Sequence, residues 1–256
     1  MTHGDTGPDD PRRHLEQARS ALAGDGPLVV LSGAGMSAES GVPTFRDART
    51  GLWARYDPTE LASPDAWRRD PDTVWAWYRW REHLVARAEP NAGHLAVARA
   101  AEGREVVVVT QNVDDLHERA GSPLVHHVHG SLFAHRCETC ELAADAGPAP
   151  EDPVERLAPP VCRFCGGRVR PGVVWFGENL PAAPWEASLR AIDSASAVLV
   201  IGTSGLVHPA ASLPDLAAEN GTPVVEVNPG DSGLGPAVTA HVRATAGDAV
   251  PALLQR

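Results

Sequence analysis

The sequence contains no lysine: all 22 of its basic residues are arginine. No apolar run approaches the ~20 residues needed to cross a bilayer, so no membrane partner is expected. The first residues, MTHGDTGPDD, are acidic and polar with no apolar core segment, so no secretory signal is expected and the location is read as cytoplasmic. Basic charge is in deficit, with 22 Arg against 33 Asp and Glu and a formal net charge of −11. That disfavours a nonspecific grip on nucleic acid or anionic lipid, which requires basic surface. Cysteine is scarce, and all four fall between Cys137 and Cys165. A secreted protein of this size would spread its cysteines to staple the fold, whereas a tight cluster reads as a metal site in a reducing compartment. The remaining composition, 43% hydrophobic and 21% charged over 256 residues, is that of one or two globular domains and not of a disordered chain or a coiled coil.

Four short runs rich in Val, Leu and Ile end in glycine or amide residues: Leu28–Leu31, Val106–Val109, Ala197–Ile201 and Val224–Val227. Each reads as a buried parallel strand. Helical composition lies between and around them at Arg12–Ala23, Gly93–Ala101, Trp185–Ser194 and Pro209–Asn220. The alternation predicts an α/β fold, a Rossmann-like open parallel sheet with a smaller zinc-binding plus helical domain. Residues 1–46, 90–133 and 171–256 are assigned to the large domain. Residues 47–89, which carry most of the tryptophans, and 134–170, which carry the cysteines, are read as insertions that build the small one.

The strand ends share one chemistry: Gly33-Ala34-Gly35, Gln111-Asn112, Gly202-Thr203-Ser204 and Asn228-Pro229. Ligands of open α/β sheets bind beyond the carboxyl ends of the strands, so the four ends point to a shared site. Gly33 to Ala38 has the G-x-G-x-x-A form of a pyrophosphate-binding turn. No acidic residue follows a second strand at the usual place, which disfavours a hydride-transferring dehydrogenase while leaving an adenine dinucleotide as the expected ligand. Cys137-x2-Cys140 and Cys162-x2-Cys165 are two thiolate knuckles separated by 21 residues; they predict a closed, structural zinc site with no open coordination position. His129 follows the Gln111–Gly121 loop and precedes the zinc insertion, the place for a general base between two domains. Tyr78 and Arg81 share a helix face. They either pack in a core or receive a carboxylate, the guanidinium through paired hydrogen bonds and the phenol as a third donor.

Together the segments Gly33 to Arg46 (GAGMSAESGVPTFR), Thr110 to His117 (TQNVDDLH), His129-Gly130-Ser131, Val173 to Glu178 (VVWFGE), Gly202-Thr203-Ser204 and Asn228-Pro229 closely resemble the sirtuins, the NAD-dependent protein-lysine deacylases. The order is kept from about Leu28 to Leu254; Met36 and Val42 stand where isoleucine is common. The resemblance implies that Gly33, Ala34, Gly35 and Ser37, with Arg46 and Asp47, cover the phosphates and nicotinamide ribose of NAD. It implies that Gln111, Asn112 and Asp114 hold the ribose and nicotinamide pocket. Gly202, Thr203, Ser204, Asn228 and the backbone near Ala246 would take the adenosine half. Val174, Trp175, Phe176 and Gly177 would pair with a substrate peptide as an added strand, and His129 would be the catalytic base. Tyr78-x-x-Arg81 resembles the pair that binds acidic acyl groups in class III sirtuins, and Ala62 matches the small residue that leaves their acyl pocket open. The implied reaction removes succinyl or malonyl, and also acetyl, from lysine, consuming NAD and releasing nicotinamide and O-acyl-ADP-ribose. A plain deacetylase, an ADP-ribosyltransferase and a non-catalytic NAD or ADP-ribose binding module are the competing readings. The expected partners are acyl-lysine peptides or protein segments, bound by a monomer, with neither nucleic acid nor membrane.

Overall fold

The computed structural model describes residues 11–42, 53 and 56–255. The main sheet is built from β1 (Leu28–Ser32), β2 (Val106–Thr110), β3 (Val125–His127), β6 (Ala197–Ile201), β7 (Val224–Val227) and β8 (Ala240–Val242). The strand order is β3-β2-β1-β6-β7-β8, and all five neighbouring pairs are parallel. The central strands are uninterrupted Val/Leu/Ile runs because both of their faces are covered. Leu28, Val30, Val106, Val108, Leu199 and Ile201 point to one face. There they meet α1 (Pro11–Leu22), α5 (Ala92–Ala100) and α9 (Ala246–Leu254). Val29, Leu31, Val107, Val109, Val198 and Val200 point to the other, covered by α7 (Ala182–Ser194) and α8 (Leu213–Glu219). From β1 the chain builds outward through β2 and β3 on one side, and later through β6, β7 and β8 on the other. The order therefore reverses between β1 and β6, which places a crevice at their carboxyl ends.

The four strands expected from the apolar runs form the centre of this sheet, and β3 and β8 extend it beyond them. The segment expected as one helix at Pro209–Asn220 divides into a 3-10 turn at Ala210–Ser212 followed by α8. The helices α6 (Leu116–Arg119) and α9 are further additions to the elements expected from the sequence.

A third apolar cluster joins α2 (Pro58–Leu61), α3 (Pro64–Arg69) and α4 (Pro71–Arg87) to a two-stranded antiparallel sheet of β4 (Gly130–Cys137) and β5 (Val169–Val173). Each of the three helices begins with a capping side chain followed by proline. Asp57 accepts from Thr59 N at 2.8 Å, Ser63 from Ala66 N at 3.2 Å and Asp70 from Thr73 N at 3.3 Å. An oxygen at the N-cap satisfies an orphan N–H, and proline at N1 forfeits none. The cysteine-bearing segment is fastened to these helices by several polar contacts, among them Arg156 on Asp70 at 2.7 Å. Glu138 accepts from the Trp67 indole N–H at 2.6 Å and from Arg168 at 2.9 Å. Arg79, 1% exposed, binds Glu82 at 2.8 Å, His135 at 3.1 Å and the carbonyl of Gly147.

Candidate active site at the strand ends

The crevice between β1 and β6 is closed by glycine backbone against glycine backbone. Gly33 N donates to Ile201 O at 2.9 Å and Gly35 N to Gly202 O at 2.9 Å. A Cβ on Gly35 would lie 2.7 Å from Gly202 Cα, and Gly202 itself has φ +60. No side chain fits between the two turns. The cradle puts no glycine side chain in the way of a ligand at the strand ends.

The amide residues after β2 point into the same crevice. Ser37 Oγ donates to Asp114 Oδ2 at 2.9 Å, and Asn112 Nδ2 donates to Ser37 Oγ at 3.1 Å. Gln111 Nε2 donates to Thr203 Oγ1 at 3.1 Å, and Asn228 Nδ2 to Thr203 O at 2.8 Å. The ends of β1, β2, β6 and β7 are thus one hydrogen-bonded unit. Burial pushes the Asp114 carboxyl up, while the bonds from Ser37 and from Leu116 N hold it down.

Two alternate residues of the segment after β2 brace this unit. A carbonyl oxygen only accepts, so a ring nitrogen beside one must carry the proton. His129 Nδ1 is 3.1 Å from Gln111 O, and His127 Nδ1 is 3.1 Å from Asn112 O. His129 Nε2 is therefore left as the lone pair. Burial pushes the His129 imidazole below its ordinary value of 6.5, partly countered by the bond to Gln111. A neutral imidazole with a bare Nε2 is a base ready to accept a proton. His127 differs: Glu118 stands 2.6 Å from its Nε2, and despite burial the imidazole is raised. Sequence reasoning gives His127 no role; its alternation with His129 is the signal that could have marked it. A second buried polar line runs beneath. Ser32 Oγ donates to Thr110 Oγ1 at 2.9 Å and lies 3.0 Å from His117 Nε2, and Thr110 Oγ1 accepts Asn112 N at 3.0 Å.

Ala246 is buried at the start of α9, its carbonyl 3.0 Å from where a Gly93 Cβ would be. It is drawn to the glycine turn by Glu39, which accepts Gly247 N at 2.6 Å and Thr245 Oγ1 at 3.0 Å. Ser204 lies on the loop after β6, its carbonyl accepting Gly233 N at 2.8 Å. Arg46 and Asp47 lie outside the described residues.

The segment Val174 to Gly177 spans from the histidine to the helical cluster. Val174 N donates to His129 O at 2.9 Å and Phe176 N to Ala62 O at 3.0 Å. Trp175 is buried, and its Nε1 donates to the Tyr78 hydroxyl at 3.1 Å. Burial holds the Tyr78 phenol protonated, well above its ordinary range. The Arg81 guanidinium sits over the Trp77 ring at 5.1 Å. Burial works against its charge, and Tyr78 and Asp114 counter that effect. Ala62, Tyr78 and Trp175 thus share one buried cluster, with Arg81 within electrostatic reach of Tyr78 and Asp114.

The four cysteine sulfurs lie within 4.8 Å of one another. Cys137 and Cys165 Sγ are 3.4 Å apart and Cys140 and Cys162 Sγ 3.7 Å. A tetrahedron of thiolates ~2.3 Å from zinc has edges of this size. Backbone N–H groups of Thr139 and Phe164 point at Cys137 and Cys162 Sγ at 3.3 and 3.5 Å, as in metal knuckles. A Cβ on Gly167 would stand 3.1 Å from Cys137 Sγ. The donor set fits a closed zinc site.

A family model described as the Sir2 family matches residues 33–209, which include the glycine turn, the amide loop, His129, all four cysteines and Gly202-Thr203-Ser204. The chain belongs to the Sir2 family. It is 55% identical over 230 residues to an NAD-dependent protein deacylase of Mycobacterium tuberculosis, covering 90% of this chain and 97% of that one. An NAD-dependent protein deacylase of Corynebacterium glutamicum is 52% identical over 233 residues, covering 89% and 90%. A solved Sir2 homologue in complex with NAD superposes with a TM-score of 0.84 at 43% identity, covering 99% of this chain and 95% of that one. Sir2Tm bound to a propionylated peptide gives 0.76 at 27% identity, covering 91% and 94%. The Sir2 fold thus accounts for both sheets and for the crevice between β1 and β6.

Proposed function

We propose that this chain is an NAD-dependent protein-lysine deacylase that favours acyl groups ending in a carboxylate. The observation that carries the reading is the convergence on one crevice of the Gly35–Gly202 cradle, the Ser37–Asn112–Asp114 network and a neutral His129. The relatives named as NAD-dependent protein deacylases support the reaction class, and the propionylated peptide on Sir2Tm supports an acyl-lysine peptide as substrate. We read residues 1–46, 90–133 and 171–256 as the large domain and 47–89 and 134–170 as the small one, with the crevice at their boundary. No described helix is long and apolar enough to cross a membrane. A cytoplasmic monomer without nucleic-acid or membrane partners fits the acidic composition.

In this reading NAD, when bound, supplies an electrophilic ribose carbon whose leaving group is nicotinamide. Gly33, Ala34 and Gly35 form the side-chain-free turn against which its phosphates lie, with Arg46 and Asp47 completing the cover. Gln111, Asn112 and Asp114 orient the ribose and the nicotinamide pocket, and Ser37 ties Asn112 to Asp114. Gly202, Thr203, Ser204, Asn228 and Ala246 hold the adenosine half. His129 Nε2 takes a proton from a ribose hydroxyl, and its Nδ1–H remains on the Gln111 carbonyl throughout. Val174, Trp175, Phe176 and Gly177 lie along the peptide, and Ala62 leaves room for the acyl chain. Tyr78 and Arg81 receive its carboxylate. Zinc, held by Cys137, Cys140, Cys162 and Cys165, is structural because four thiolates leave no open position.

Arg81→Met tests the acyl reading. Loss of a charge-assisted pair costs ~1.4–4 kcal/mol, so kcat/KM for a succinyl-lysine peptide falls roughly 10- to 1000-fold. Mass spectrometry of succinyl- and acetyl-lysine peptides with NAD reads both activities. If Arg81→Met changes neither, the two side chains only pack and the chain is a plain deacetylase.

A further inference from the structure

The Tyr78 hydroxyl is buried, and among the described residues its one hydrogen-bond partner is the Trp175 indole N–H at 3.1 Å. An indole N–H can only donate, so the phenol oxygen is the acceptor in this bond. A phenol O–H prefers the plane of its ring and has two places in it. A donor lodged on one side leaves the other for the proton.

The direction of that indole is fixed from several sides. The Arg170 guanidinium stacks on the Trp175 ring at 3.5 Å from its centroid. Arg170 is clamped by Glu178 through two bonds of 2.6 and 2.9 Å. Glu178 also accepts Trp175 N at 2.9 Å, and the Trp67 ring packs against Trp175 at 5.5 Å. Glu178 thus holds the Trp175 backbone directly and its ring through Arg170.

We propose that Trp175 is a positioning residue for acyl selection: its N–H occupies one side of the Tyr78 oxygen and commits the phenol proton to the acyl carboxylate, with Arg170 and Glu178 holding the indole in place. The inference rests on the acidic-acyl reading above. It adds a residue that acts through Tyr78 and not by touching the acyl group.

The test compares Trp175→Phe, Tyr78→Phe and the double variant. Each preparation is assayed with succinyl- and acetyl-lysine peptides of one sequence, together with the unmodified protein. The quantity read is the ratio of the two kcat/KM values within a preparation, which an inactive or unfolded fraction cannot alter. Trp175→Phe keeps an aromatic ring under Arg170 and removes only the donor and some bulk. The expected result is a fall of about tenfold in the succinyl-to-acetyl ratio for each single variant, carried by KM for the succinyl peptide and not by kcat. The double variant falls no further than Tyr78→Phe. A Tyr78→Phe ratio that falls while that of Trp175→Phe stays at the unmodified value overturns this inference and leaves the acidic-acyl reading standing. Ratios unmoved in both Tyr78→Phe and Arg81→Met overturn that reading and this inference with it.

Discussion

Gly35→Ala is the sharpest structural test of the crevice. The added Cβ would meet Gly202 Cα at 2.7 Å and its carbonyl oxygen at 2.9 Å, against an optimum of about 3.5–4.0 Å between carbons. Both neighbours are backbone at the ends of fully buried strands, so no side chain can swing away. Overpacking of this kind costs about 1–3 kcal/mol. At roughly 2–4 °C per kcal/mol for a domain of this size, a cost of 2 kcal/mol lowers Tm by about 4–8 °C. The shift also moves the turn proposed above to receive the phosphates, so KM for NAD is expected to rise at least about tenfold (~1.4 kcal/mol). Gly221→Ala is the matched control. Gly221 has φ +76, and a Cβ there would meet nothing within 4 Å, so alanine carries a backbone cost of about 1–2 kcal/mol and no collision. Thermal unfolding followed by circular dichroism and initial rates against NAD concentration give both readouts. If Gly35→Ala matches the unmodified protein in Tm and in KM for NAD, the backbone cradle is not where NAD binds.

Because burial disfavours the charged imidazole of His129, its neutral form persists as pH falls. The acid limb of kcat/KM for the acyl peptide is expected below the ordinary histidine value of 6.5, and a limb above it contradicts the role of burial. His129→Ala lowers turnover about 10²- to 10⁴-fold with zinc content, measured by metal analysis, unchanged. Cys162→Ser, or chelation of the metal, lowers Tm and alters tryptophan fluorescence, since Trp67 is bonded to Glu138 beside Cys137; an unchanged zinc stoichiometry in Cys162→Ser would remove the four-thiolate assignment.

The central strands are readable because burial on both faces demands unbroken apolar runs, and four such runs stand out between polar punctuation. The edge strands carry no such mark: Val125–His127 and Ala240–Val242 are three residues long and partly exposed, with histidine in each. The helix at Ala246–Leu254 is hidden by Gly247 and by Pro251 inside it, residues that weaken local helix signals. In the site, the glycine turn, the amide pair, His129 and the cysteine knuckles are legible because each is a local pattern with a chemical reason. The contacts between Trp175 and Tyr78, 97 positions apart, and between His127 and Asn112 are not. The first arises where α4 packs on the chain after β5, the second from the pairing of β2 with β3, and neither spacing nor composition carries that information. Capping pairs at Asp57-Pro58, Ser63-Pro64 and Asp70-Pro71 are visible in the sequence and mark the starts of the three helices among the described residues of the tryptophan-rich insertion.

The long helix Pro71–Arg87 is gripped from two directions. Arg79 reaches away from the crevice to Glu82, His135 and the Gly147 carbonyl, while Tyr78, one residue earlier, is anchored to Trp175. Contacts on both flanks oppose rolling and sliding of the helix. On the acyl-pocket reading proposed above, the depth of that pocket is then set by the helix, and longer or bulkier chains are admitted by trimming a wall residue such as Ala62 or Tyr78.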